Sequence, residues 1–389
     1  MARGIVVVGA GIAGLATAVA LQRRGHDVTV LEERTDTSSG AGITIWPNAL
    51  AALDQIGLGD AVRAAGGRVT AGALRWRDGT WLRRPQRDRI VSALGEPLVV
   101  IRRCTLTEIL SSGLAADGIQ YGIAVRDLTA TTDGVRLRLS DGSTRAAAAV
   151  VGADGVRSVV ARHLNGPLPV RYAGYTAWRG VADCDIDPDL AGETLGAGVE
   201  FGHVPMGAGR TYWFATERTP EGSAAAEGEL AYLQRKYLSW AQPMPAILTT
   251  TDPAAVLRND LYDRATARHW SSARIVLVGD AAHPMRPHLG QGGCQGLEDA
   301  AILAAFVGDG DDLPTAFASF EAFRRHRIQP LVRESALIGR IVNLRPAFLG
   351  AAASRVTVLV PEAVLTRHLA AVASSAAFTM PADRDPEPA

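Results

Sequence analysis

Apolar and polar positions along the chain follow two different rhythms. Short runs at residues 4–8, 28–31, 147–151 and 274–278 are almost wholly apolar, the pattern of strands buried on both faces of a parallel sheet. Residues 12–24 predict a helix closed by Gly25, with Leu15, Val19 and intervening alanines small enough to press on a sheet. With the runs on either side it forms a βαβ unit of about 30 residues. Leu50, Leu53 and Ile56 keep helical spacing after Trp46-Pro47-Asn48, and helices are also expected over 105–114 and 293–307 and through most of 313–376. Asp78-Gly79 and Asp141-Gly142 mark hairpin turns between 74–76 and 81–83 and after 134–139.

From about 167 to 270 the texture changes to aromatic-rich strand patterns at 175–181, 199–206 and 210–216. The expected fold is therefore α/β: a Rossmann-like nucleotide-binding domain with an inserted, mostly antiparallel β-sheet substrate domain and C-terminal helices. Its division assigns 1–72, 101–166 and 271–330 to the nucleotide-binding domain and 73–100 and 167–270 to the substrate domain. Helices follow over 331–380, with a disordered tail over 381–389.

Composition narrows the function classes. Across 389 residues the formal net charge is zero, so an electrostatic footprint for nucleic acid is missing. No apolar run reaches the roughly 18 residues of a membrane span, and no leader pattern opens the chain, so a cytoplasmic protein is expected. Cys104, Cys184 and Cys294 have no metal-ligand spacing and suit a reducing compartment. No metal site is expected.

Two glycine-bearing signatures about 270 residues apart carry the chemistry. In Gly9-Ala10-Gly11-Ile12-Ala13-Gly14, between strand and helix, Gly9 allows a tight turn, Gly11 admits a pyrophosphate to the backbone, and Gly14 permits close packing. The helix N-terminus offers unpaired N–H groups to phosphate. Glu32, 18 residues beyond Gly14, can hold a ribose diol and would repel a 2′-phosphate; Glu33 is its neighbouring carboxylate, alternatively a solvated charge. The second signature is Gly279-Asp280-Ala281-Ala282-His283-Pro284, continuing to Pro287 and Gly290-Gln291-Gly292-Gly293-Cys294. Asp280, at the carboxyl end of a strand, can accept hydrogen bonds from a ribityl chain. The glycines bring bare backbone, and the following helix its positive end, to a flat ring. Together the two signatures point to FAD.

With Asp154-Gly155 in residues 152–158 as a third element, these motifs resemble the fingerprints of class A flavoprotein monooxygenases, the p-hydroxybenzoate hydroxylase-like group that includes urate, salicylate and 3-hydroxybenzoate hydroxylases and zeaxanthin epoxidase-like enzymes. The resemblance covers residues 1 to about 330. It implies FAD contacts at Arg103, at the Val125 backbone, and at Thr44 after Gly42, and a role for Asp154 and Arg157 toward FAD and NAD(P)H. It also implies a reaction: NADH or NADPH reduces the flavin, O2 gives a C4a-hydroperoxide, and one oxygen atom passes to a small aromatic or olefinic substrate. The alternative is a flavin-dependent dehydrogenase or reductase of the geranylgeranyl-reductase type.

Because chemistry resides on the flavin, no catalytic side chain is assigned. His283 reads as structural, Cys294 as a packing residue beside the ring, and Asp299 as fixing the first turns of its helix. Substrate-pocket candidates are Glu200, Tyr212, Phe214 and His288. Glu200 stands where an anion-binding relative would place a basic residue, unless it faces solvent. The protein is expected to act as a monomer or homodimer.

Overall fold

The computed structural model describes residues 4–35, 41–84, 86–308, 312–342, 344 and 346–381. The tail expected to be disordered, beyond Pro381, lies outside the described residues.

A six-stranded sheet carries the nucleotide end. Its order is Ser271–Ser272, Ile275–Leu277, Ala149–Gly152, Ile5–Val8, Val28–Glu32, Ile119–Tyr121. Every neighbouring pair is parallel except the first. Three apolar runs far apart in sequence meet here because each is buried on both faces. The Ile12–Arg23 helix, almost all small and apolar over its first three turns, packs between this sheet and the Gly292–Val307 helix. Gly25, at φ +85°, turns the chain out of it.

A seven-stranded sheet forms the second layer, in the order Leu257–Asp263, Arg171–Ala182, Arg210–Glu217, Val199–Gly207, Gly192–Gly196, Ala73–Trp76, Trp81–Arg83. It is antiparallel apart from one pairing, Gly192–Gly196 with Ala73–Trp76, which run parallel. One face packs Phe201, Trp213, Trp178 and Tyr237 into an aromatic core. The other faces the nucleotide end.

Two of the expected divisions fall inside elements. The strand Leu98–Arg102 runs through residue 100, and the helix Leu313–Val342 runs through residue 330. That helix continues past Pro330 because Phe317, Phe320, Ile328 and Leu331 hold one apolar face against the core on both sides of the proline. The expected 105–114 helix begins at Arg103, directly after the strand.

Candidate active site

The two layers enclose a cavity of about 710 Å³, within the range of small-molecule and cofactor sites. It extends from Ala10, Gly11 and Glu32 at the nucleotide end, past Gly42, Thr44, Arg103 and Asp280, to Pro287, Gly290, Gly292 and Gly293. Its wall on the seven-stranded sheet includes Arg179, Glu193, Glu200, Tyr212, Phe214 and Thr216, with His288 from the facing loop.

At the nucleotide end, Gly9 adopts φ +102°, and a Cβ on Gly14 would stand 2.0 Å from the Gly9 carbonyl oxygen. Strand, turn and helix can therefore approach this closely only with bare backbone. No side chain caps the Ile12–Arg23 helix, so its first N–H groups face the cavity without a partner from the cap residue, as a phosphate requires. Glu32 is buried at the end of its strand and accepts the Ala10 amide at 2.7 Å and the Arg34 amide at 2.8 Å. This places a fixed carboxylate at the loop rim. Glu33 is exposed and does not line the cavity.

Midway, Asp280 lines the cavity with its side chain exposed to it. Desolvation raises its pKa, opposed by His283, Arg103 and Arg264. Its carboxylate has no side-chain hydrogen bond among the described residues, the condition of an acceptor awaiting a polyol. Arg103 on the opposite wall has its pKa lowered by desolvation, with Asp280 opposing the shift. Gly42 lets the layers touch, since a Cβ there would meet the Tyr212 ring at 2.4 Å.

At the far end, the Gly292–Val307 helix has neither a side-chain cap nor an acidic residue in its first turn, so its positive end is unopposed where Gly292 and Gly293 meet the cavity. Gln291 and Cys294 are fully buried behind that surface. Gln291 accepts from Asn48 Nδ2 at 2.9 Å. Burial pushes the Cys294 thiol up to about 12. His283 is buried with Nε2 2.7 Å from Asp299 Oδ2, which also accepts the Gly279 amide at 2.7 Å. His283 and Asp299 thus set the Gly279–Ala281 turn and do not line the cavity.

Three residues named from the resemblance stand elsewhere. The Asp154 carboxylate accepts from the Ser158 hydroxyl at 2.5 Å and from the Val159 amide at 2.7 Å, capping the Val159–Asn165 helix. Arg157 lies over the Tyr262 ring at 5.3 Å. Neither lines the cavity, and neither does Val125, which is buried in its strand.

The sheet wall brings together residues of five strands. Burial raises the pKa of Tyr212, against a hydrogen bond from Arg179. The Tyr175 hydroxyl lies 3.0 Å from His288 Nε2, and desolvation lowers the His288 pKa. Glu200 is 6% exposed and accepts the Thr216 hydroxyl at 3.1 Å. Glu193 and Arg179 were not expected from sequence. The available signal for Glu193 was a carboxylate among small residues in a strand just before Glu200.

A cavity with a phosphate-binding helix end, a ribose acid, an unpaired carboxylate midway and a glycine-lined flat end defines an FAD-binding enzyme. The family described as FAD binding domain matches residues 3–335. The aurachin C monooxygenase/isomerase of Stigmatella aurantiaca is 38% identical over 348 residues, 88% of this chain and 91% of that one. The FAD-dependent urate hydroxylase of Klebsiella pneumoniae is 32% identical over 334 residues, 84% of this chain and 87% of that one. The crystal structure of Klebsiella pneumoniae HpxO with FAD and uric acid superposes with a TM-score of 0.89 at 28% identity, covering 95% of this chain and 96% of that one. The chain belongs to this family of class A FAD-dependent monooxygenases. Its relatives insert oxygen, so the reductase alternative is not favoured. Among the described residues no helix is long and apolar enough to cross a membrane, and no group of three potential ligands could hold a metal.

Proposed function

We propose that this FAD-dependent monooxygenase uses NADH or NADPH and O2 to oxygenate a small aromatic or olefinic molecule that is neutral or cationic and carries a hydrogen-bond donor. The observation that carries the substrate class is Glu200, buried on the cavity wall beside Tyr212 and Phe214. A carboxylate substrate set against Glu200 would leave like charges in a poorly solvated space. A ring N–H or O–H gains a charge-assisted hydrogen bond there.

In this reading Gly9, Gly11, Ala13 and Gly14 form the pyrophosphate loop, with Glu32 on the ribose and Glu33 left in solvent. Arg103 supplies a cation to the cofactor, and Thr44 and Gly42 line its middle. Asp280 takes the ribityl hydroxyls. Pro287, Gly290, Gly292 and Gly293 bound the ring, with Gln291 and Cys294 packed behind them. Bound FAD supplies the redox and oxygen-transfer chemistry. The protein binds and orients both molecules, directs a helix N-terminus at the ring, and excludes water between the two layers. The division into a nucleotide-binding unit and a substrate unit, cytoplasmic residence, and a monomer or homodimer belong to the same proposal.

The test is substrate-stimulated NAD(P)H oxidation by the yellow holoenzyme against phenols, 4-quinolones, polyenes and benzoates. Neutral donors are expected to accelerate flavin reduction and benzoates to be poor effectors, with Glu200→Gln altering the ranking of neutral ligands. Efficient turnover of a simple aromatic acid, with kinetics unchanged in Glu200→Gln, would sink the proposal.

A further inference from the structure

Glu193 and Glu200 belong to adjacent antiparallel strands. In that register Glu193 lies opposite Gly202 and Glu200 opposite Leu195, so the two glutamates are diagonal neighbours on one face of the sheet. Both side chains line the cavity, and the diagonal register brings their carboxyl groups within reach of each other. Two carboxylates are acceptors only, so a direct contact between them requires a shared proton.

No cation among the described residues pairs with either glutamate, although Arg179 and Arg286 line the same cavity. Thr216 donates to Glu200. From the Arg171–Ala182 strand, Arg179 donates to Asn259 at 3.3 Å and hydrogen-bonds Tyr212, while Tyr175 meets His288. Beyond His288, Arg286 pairs with Asp263 at 2.5 Å. From the Ala73–Trp76 strand, Arg75 lies opposite Thr194, on the other face from Glu193, and donates to the Gln242 carbonyl. Arg355, from the helix packed on the Gly192–Gly196 strand, stacks on Trp76 at 4.4 Å. Among the described residues neither glutamate has an ion-pair partner. Desolvation and the Glu200 charge drive the Glu193 pKa well above the ordinary carboxyl value.

We propose that Glu193 and Glu200 act as one proton-sharing carboxyl pair that selects the substrate by charge. With one proton retained, the pair presents a single negative charge and takes a neutral ring N–H or O–H donor. A cationic ligand expels the proton and meets two carboxylates; an anion is rejected in either state. This rests on the reading that Glu200 faces the substrate. It adds Glu193 as a specificity-determining residue whose protonation is coupled to ligand charge.

The experiment uses oxidised FAD holoenzyme and two probes, benzamidinium as the cation and 4-quinolone as the neutral donor. Binding is measured by calorimetry in buffers of different ionisation enthalpy across a series of pH values. Benzamidinium is expected to release up to one proton per site and to bind more tightly as pH rises, up to about tenfold per unit. Binding of 4-quinolone should release none. In Glu193→Gln, whose amide can still donate to Glu200, the release and the pH dependence should vanish while 4-quinolone still binds. Absence of release in the wild type, release persisting in Glu193→Gln, or failure of benzamidinium to bind overturns the pair.

Infrared spectroscopy of the wild type makes the same test without a variant. The carbonyl band of a protonated carboxyl should be present in the free holoenzyme and lost on benzamidinium binding, and its absence from the free enzyme overturns the pair. The underlying reading is judged separately, by weakening of 4-quinolone in Glu200→Gln. If that weakening occurs without proton release, only the pair fails; if Glu200→Gln leaves 4-quinolone binding unchanged, both fail.

Discussion

Nε of Arg324 lies 2.7 Å from Oδ1 of Asp299, and both side chains are fully buried. The same guanidinium donates to Glu298 at 2.7 Å and to Gln295 Oε1 at 2.8 Å, so the Leu313–Val342 helix is tied to the helix whose first turn borders the flavin ring site. Asp299 passes the connection on through the Gly279 amide and His283 to the turn carrying Asp280. Removing one partner of such a pair strands the other in a dry interior. Arg324→Leu is expected to cost about 3–5 kcal/mol and to lower flavin occupancy, read by thermal unfolding and by the absorbance ratio of flavin to protein.

Asp280→Ala should lose flavin. The carboxylate has no other role in hydrogen bonding among the described residues, and charge-assisted bonds to a polyol are worth about 1.5–3 kcal/mol, or roughly tenfold or more in affinity. His283→Ala should also weaken the turn, since it leaves Asp299 short of a partner, but its effect should appear mainly in the melting temperature. Equal FAD affinity in wild type and Asp280→Ala, measured by flavin fluorescence on reconstitution, would exclude the ribityl role.

Thiol chemistry separates the three cysteines. Cys104 and Cys184 are partly exposed, whereas Cys294 is buried with its pKa pushed up to about 12. The thiolate is the reactive form, so native protein should titrate at most two thiols with a disulfide reagent and all three only after unfolding. Cys294→Ala should retain oxygenation. Normal FAD content without turnover in that variant would give the thiol a chemical role.

The acid limb of stability has a defined sign. Burial works against ionisation of Asp299, but His283 and Arg324 hold it at about 2, below its unfolded value. Its contribution is therefore complete above the unfolded pKa of about 4 and is lost as pH falls toward 2. It is worth about 2–3 kcal/mol at neutral pH. Asp299→Asn should flatten the fall in melting temperature between about pH 4 and 2; an unchanged acid limb would show that other carboxylates govern it.

The sequence by itself determined what depends on neighbours in the chain. The nucleotide loop is local: Gly9 and Gly14 are five residues apart, and the short apolar runs around them can only be strands buried on both faces. Alternation within 199–206 and 210–216 likewise put Glu200, Tyr212 and Phe214 on definable faces, and the structure sets all three on one cavity wall. The tertiary structure decided what depends on which surfaces meet. Asp154 sits in a motif that suggests a ligand, yet its carboxylate turns to the Val159 and Val160 amides of its own following helix, first-turn donors that the Ser158 cap, bonded to Ala161, leaves free. Arg324 reads as one arginine among many on a helix until two carboxylates of a second helix enclose it. Glu193 acquires its meaning only from strand register, which puts a second acid diagonally beside Glu200, with neither of them ion-paired among the described residues. Backbone conformation is fixed by local sterics and periodicity, whereas the charge state of a buried side chain is fixed by whatever the fold places against it.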